Sequence, residues 1–182
     1  MSEDHPSPFP TALVLDTSFL RTIGGTDNPA YQTFINYVRT EERELYLTSG
    51  VVEELDEQRG YISIDWPDRA NTTERITILD DLQPGVRVRD GPRAGEVMDR
   101  AQERLAKFEQ TPPDELRKTD PELPAAAVML LGSTSHDSVG IVMDDRNAER
   151  AIDGVVNNTY YEGRIRILNI WTAIEYMESQ LA

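Results

Sequence analysis

The stretch TALVLDTSFL, residues 11–20, decides the fold. Leu13, Val14 and Leu15 form an apolar run without alternation, the pattern of a strand buried on both faces of a parallel sheet. The run ends directly in Asp16 and two hydroxyls, Thr17 and Ser18. A buried strand that stops at a carboxylate delivers that charge to the sheet edge where open α/β sheets bind ligands. The stretch VGIVMDD, residues 139–145, repeats the arrangement and ends in Asp144 and Asp145.

Outward from these strands, helical and strand patterns alternate. Residues 29–40 are predicted as a helix, with Tyr31, Phe34, Ile35 and Val38 at helical spacing. Residues 45–48 read as a strand. Residues 49–58 read as a helix with Ser49 as N-cap and Glu53 and Glu54 near its positive dipole end. Residues 61–92 lack a clear period; within them 72–82 suit a helix and 85–90 a short strand or hairpin arm. Further helices are predicted over 96–109, 125–132, 146–156 and 170–182, with a strand over 165–169. Strands alternating with helices imply a three-layer α/β/α sandwich around a central, mainly parallel sheet of four to five strands. Residues 1–10 are expected to be a flexible tail, and 11–182 a single domain with 61–92 an insertion.

Charge narrows the setting. The chain of 182 residues carries 33 acidic and 18 basic side chains, a net charge of −15. Only Lys107 and Lys118 are lysines, and the remaining sixteen basic residues are arginines. Acidity with so little lysine resembles proteins of halophilic archaea, in which molar salt shortens the Debye length to ~3 Å and screens self-repulsion. Zero cysteines exclude disulfides, thiolate metal sites and a cysteine nucleophile. No apolar run of ~18 residues is present, so no membrane span is expected. The acidic, proline-rich start MSEDHPSPFP does not read as a secretory signal, and the expected location is cytoplasmic.

The strand-end acids carry the chemistry. If Asp16 and Asp145 close neighbouring strands, their carboxylates repel and resist joint ionisation unless a cation compensates. Hard divalent cations, Mg²⁺ or Mn²⁺, take oxygen ligands and leave positions for water and substrate phosphate. Such a centre polarises a phosphodiester and activates water, while Thr17 and Ser18 offer hydroxyls to orient Asp16. Glu54 lies early in the helix after the second strand, and Asp120 at the start of the apolar helix before the 139–143 strand. Each acid also has a plainer reading. Asp16 caps the next turn, Glu54 complements a helix dipole, Thr119 and Glu122 form a capping box beside Asp120, and Asp144 or Asp145 caps the helix at Arg146. His5 and His136 read as solvated, and Trp66 and Trp171 as packing anchors. Arg146, Arg150, Arg164 and Arg166 cluster late in the chain, where they either grip phosphate or simply lie where an arginine-rich chain must put them.

Four stretches in order, VLDTSFL (14–20), YLTSGVVEEL (46–55), KTDPELPAAAVML (118–130) and GIVMDDRNAERAI (140–152), resemble the successive motifs of PIN-domain nucleases. The resemblance spans roughly residues 12–170. It implies that Asp16, Glu54, Asp120 and Asp145, with Asp144 beside the last, hold Mg²⁺ or Mn²⁺ in a metal-dependent endoribonuclease acting on RNA. Two departures stand out. Pro124 falls where a helix opened by Asp120 makes its first backbone hydrogen bond, and Glu53 competes with Glu54. The rival reading is a PIN scaffold that has lost catalysis and recruits a protein or RNA partner. A second copy of the chain, or a protein such as an antitoxin in a toxin–antitoxin pair, are the other partners left open.

Overall fold

Burial along the strands separates the centre of the sheet from its edges. In β1 (Ala12–Leu15) and β4 (Val139–Met143) every residue is buried, as the unalternating runs require of strands covered on both faces. β2 (Glu44–Thr48) is exposed only at its first residue, whereas β3 (Ile76–Leu79) and β5 (Ile165–Asn169) are mostly half-buried. The pairing matches: the sheet order is β3-β2-β1-β4-β5, and every pair is parallel. The computed structural model describes residues 9–25, 27–41, 43–57, 76–116 and 119–182, with the side chain of Thr119 outside that set.

Seven helices surround the sheet among the described residues: α1 (Thr17–Ile23), α2 (Pro29–Thr40), α3 (Ser49–Glu57), α4 (Ala94–Glu109), α5 (Thr119–Ser133), α6 (Arg146–Val156) and α7 (Ile170–Leu181). α4, α5 and α6 pack on one another, and α2 packs on α7. The result is the expected three-layer α/β/α sandwich with a five-stranded parallel sheet. No described helix is long and apolar enough to cross a membrane. Order 3-2-1-4-5 puts the reversal of winding between β1 and β4, the place where such sheets open a crevice at their C-terminal edge.

Several local expectations change in three dimensions. Phe9 and Pro10, assigned above to the tail, are buried. Phe9 stacks on Tyr176 at a centroid distance of 5.0 Å and meets Tyr37 edge-on. Residues 76–79, expected to be helical, form the edge strand β3; three β-branched residues, Ile76, Thr77 and Ile78, followed by Leu79 suffice once β2 offers a pairing partner. Residues 85–90 form no strand and instead make turns, where the Val86 carbonyl accepts from Ala94 N and Val88 N donates to the Tyr161 hydroxyl. Residues 61–75, the rest of the expected insertion, lie outside the described residues. Thr48 rather than Ser49 caps α3, since its Oγ1 accepts from Val51 N at 3.3 Å. α5 begins at Thr119 and runs through Pro124, which supplies no N–H to the Asp120 carbonyl.

Candidate acidic site at the sheet edge

Asp16 ends β1 in extended conformation (φ −83°, ψ 157°) and at once starts α1, a short helix that no sequence pattern announced. Its backbone N–H donates to the Val142 carbonyl at 3.1 Å, which ties the carboxylate to the end of β4. The side chain accepts from both Ser18 N at 3.2 Å and Ser18 Oγ at 2.5 Å. The capping reading is therefore correct for Asp16, and Ser18 is the orienting hydroxyl expected of it. Only 5% of the Asp16 surface is exposed. Burial pushes its carboxyl up from the usual aspartate range; the Ser18 bonds oppose that, and the Glu54 charge adds to it.

Thr17, buried beside it, points its hydroxyl at a different acid: Oγ1 donates to Glu54 Oε2 at 2.6 Å. That bond selects Glu54 over its neighbour, because Glu54 is half-buried and Glu53 exposed. Thr17 thus holds Glu54, not Asp16 as anticipated. The turn of α3 that buries Val51 and Leu55 sets this choice, since residues three or four apart share a helix face.

Asp120, in the first turn of α5, is pushed up to about 7. Burial is the main cause, followed by the charges of Asp16, Asp145, Glu54 and Glu109. The four sequence-predicted acids Asp16, Glu54, Asp120 and Asp145 therefore share one field at the sheet edge. Glu109, in the last turn of α4, is a fifth member that sequence reasoning missed. Its position at a helix end carried no signal, because only the packing of α4 on α5 brings it near.

Asp145 caps α6, its Oδ1 accepting from Ala148 N at 3.0 Å. Asp144 is exposed, and its backbone N–H donates to Ser18 Oγ. The pair divides by burial: Asp144 is exposed, whereas Asp145 is half-buried and its charge acts on Asp120.

The donor set is all oxygen: the carboxylates of Asp16, Glu54, Asp120 and Asp145. In kind it fits a hard divalent ion. As they stand, however, no three acidic or histidine side chains among the described residues converge closely enough to hold one ion.

The remaining candidates move elsewhere. His136 is not solvated: Nδ1 meets Thr11 Oγ1 at 2.9 Å and Nε2 meets Glu44 Oε2 at 2.7 Å, tying the starts of β1 and β2 together far from the acids. Trp171 is no packing anchor, for it is 57% exposed at the start of α7. His5 and Trp66 lie outside the described residues, as does the Thr119 side chain of the supposed capping box.

Comparison with known proteins fits this geometry. The searches of curated proteins and of solved structures return no match. Over residues 9–182 the chain matches the family described as Halobacterial PIN domain. With that match covering nearly all of its length, and a parallel sheet presenting acids at its switch point, the chain belongs to the Halobacterial PIN domain family.

Proposed function

We propose that the protein is a metal-dependent endoribonuclease that hydrolyses RNA phosphodiester bonds at the C-terminal edge of its sheet. The observation that carries this reading is the meeting of acids at the β1–β4 switch point, where Ser18 and Thr17 of α1 hold Asp16 and Glu54 and Asp145 caps the helix that follows β4. Carboxylates brought close destabilise one another, and a divalent cation relieves that cost.

Asp16, Glu54, Asp120 and Asp145 would hold Mg²⁺ or Mn²⁺, with Asp144 at the rim. When bound, such an ion supplies Lewis-acid polarisation of the phosphoryl group and lowers the pKa of water. The chain's own part is orientation. Ser18 fixes one oxygen of Asp16, Thr17 fixes Glu54, and the α6 cap fixes Asp145. Each bond removes rotamer freedom before substrate arrives.

One observation favours the second reading, a binding scaffold without catalysis. Asp16 and Asp145 both spend oxygens on helix caps, and no metal-sized group is preformed among the described residues.

One experiment separates the two. Labelled single-stranded RNA is incubated with Mn²⁺ at high salt, with wild type beside Asp16→Ala. A nuclease cleaves only as wild type, and millimolar Mn²⁺ raises its melting temperature but not that of the variant. Equal Mn²⁺ shifts with no cleavage by either protein would establish the scaffold instead.

A further inference from the structure

In a chain with 33 acidic and 18 basic residues, a surface where basic side chains outnumber acids calls for a reason. The seam between α4 and α6 is such a surface. A cavity of about 540 Å³ along it is lined by Arg100, Arg104 and Lys107 against a single acid, Glu103. It shares Arg100 and Thr159 with a second cavity of about 620 Å³, which adds Arg87 and Tyr160 but also Asp90 and Glu96. The two form one trough, basic in its first half and mixed in its second, where Arg100 pairs with Glu96 at 3.7 Å.

Further arginines flank the trough on aromatic rings, and one that lines it rests on a glycine. At one end the Arg150 guanidinium lies 4.4 Å from the Phe108 ring centroid. At the other, Arg164 lies 4.4 Å and Arg89 5.4 Å from Tyr160. Between them Arg104 crosses Gly154, where an added Cβ would stand 2.5 Å from its terminal nitrogen. Glycine thus makes the notch in which that guanidinium rests. A guanidinium stacked on a ring has already lost much of its rotamer freedom, while its N–H fork stays available for a bidentate anion.

The trough also leads somewhere. Arg150, whose guanidinium lies over Phe108, stands on α6 little more than one turn beyond Asp145. Its Phe108 end therefore borders the acidic edge. Lys107 and Arg100 lie seven residues apart on α4, about 10 Å along the axis, too far for one phosphate to meet both.

We propose that this trough holds the sugar–phosphate backbone of single-stranded RNA, with Arg150, Arg104 and Arg100 meeting successive phosphates and leading the strand to the acidic edge. The choice of RNA as ligand rests on the nuclease reading above. An acidic peptide is the other anion that would answer this charge, and competition by polyglutamate distinguishes it from RNA.

The test is binding without cleavage. A fluorescein-labelled oligouridylate of about twelve nucleotides is titrated by anisotropy in EDTA, at several potassium chloride concentrations from about 0.3 to about 1 M. The proteins are full-length wild type, Arg104→Glu/Arg150→Glu and the milder Arg104→Gln/Arg150→Gln, each checked by its melting curve. Loss of two phosphate contacts is expected to weaken binding at least tenfold in both variants and to flatten the salt slope by about 1.4. Polyglutamate at equal charge is expected to compete poorly. Unchanged affinity in a folded variant, no RNA binding by wild type, or displacement by polyglutamate as effective as by unlabelled RNA would each overturn the assignment. Because no turnover is read, wild-type binding that the variants lose, in a protein that cleaves nothing, would sink the nuclease and keep the trough.

Discussion

Asp120 shows how much one position depends on charges that lie far away in the chain. A folded-state pKa of about 7 against an ordinary 3.8 means that the folded protein holds this proton more tightly than the unfolded chain. Stability from this group is therefore undiminished below about pH 4, falls as pH rises through the window from 3.8 to about 7, and stays reduced above it. Asp120→Asn removes the penalty. In EDTA the variant is expected to be more stable than wild type by about 1–2 kcal/mol at about pH 8, and by almost nothing at about pH 4, a discount on the full shift for a half-buried group. Urea melts at the two pH values check this, and equal differences at both would refute it. Sequence singled out Asp16, Glu54, Asp120 and Asp145 as candidates from their places at strand and helix ends and from the family resemblance, which favoured Glu54 over Glu53. It left Asp144 against Asp145 open, because strand-end geometry makes that choice. The bond from Thr17 to Glu54 and the cap from Asp145 to Ala148 N settle the orientation of the pair members.

At the scale of elements, the central strands and long helices were legible because burial on both faces and a 3.6-residue period leave strong local patterns. The helix expected over 29–40 and that over 146–156 match α2 and α6 in both bounds. The misreadings fall where pattern is weak. β3 is four residues of which one is fully buried, and only its parallel register with β2, Leu45 opposite Ile76, makes it a strand. α1 is seven residues, too short to show a period, and depends on the Asp16 cap. The turns of residues 85–92 are held from outside, by Tyr161. Its fully buried ring lies where a Cβ on Gly91 would stand 2.7 Å away, and its hydroxyl donates to the Pro92 carbonyl while accepting from Val88 N. Gly91→Ala is expected to cost about 1–3 kcal/mol by displacing that ring. A denaturant midpoint unchanged from wild type would show that the loop gives way freely.

At the scale of the whole molecule, a net charge of −15 on 20.6 kDa sets the conditions under which everything else operates. Self-repulsion acts over the Debye length, which falls from ~10 Å at 0.1 M to ~3 Å at 1 M salt. The melting temperature is expected to rise steadily as potassium chloride increases across that range, and a flat or falling curve would show that surface repulsion is not what limits stability. The amino-acid sequence by itself determined the alternation of strands and helices, the acidic ends of β1 and β4, and the strongly acidic, lysine-poor charge balance, since these depend only on residue type and local spacing. Tertiary structure decided the rest. It half-buried Glu54 and left Glu53 exposed, exposed Trp171, and set Arg100, Arg104 and Lys107 of α4 against α6 along one trough. The physical reason is that each of these is a meeting of side chains from distant segments, and only the packing of those segments on one sheet makes them neighbours.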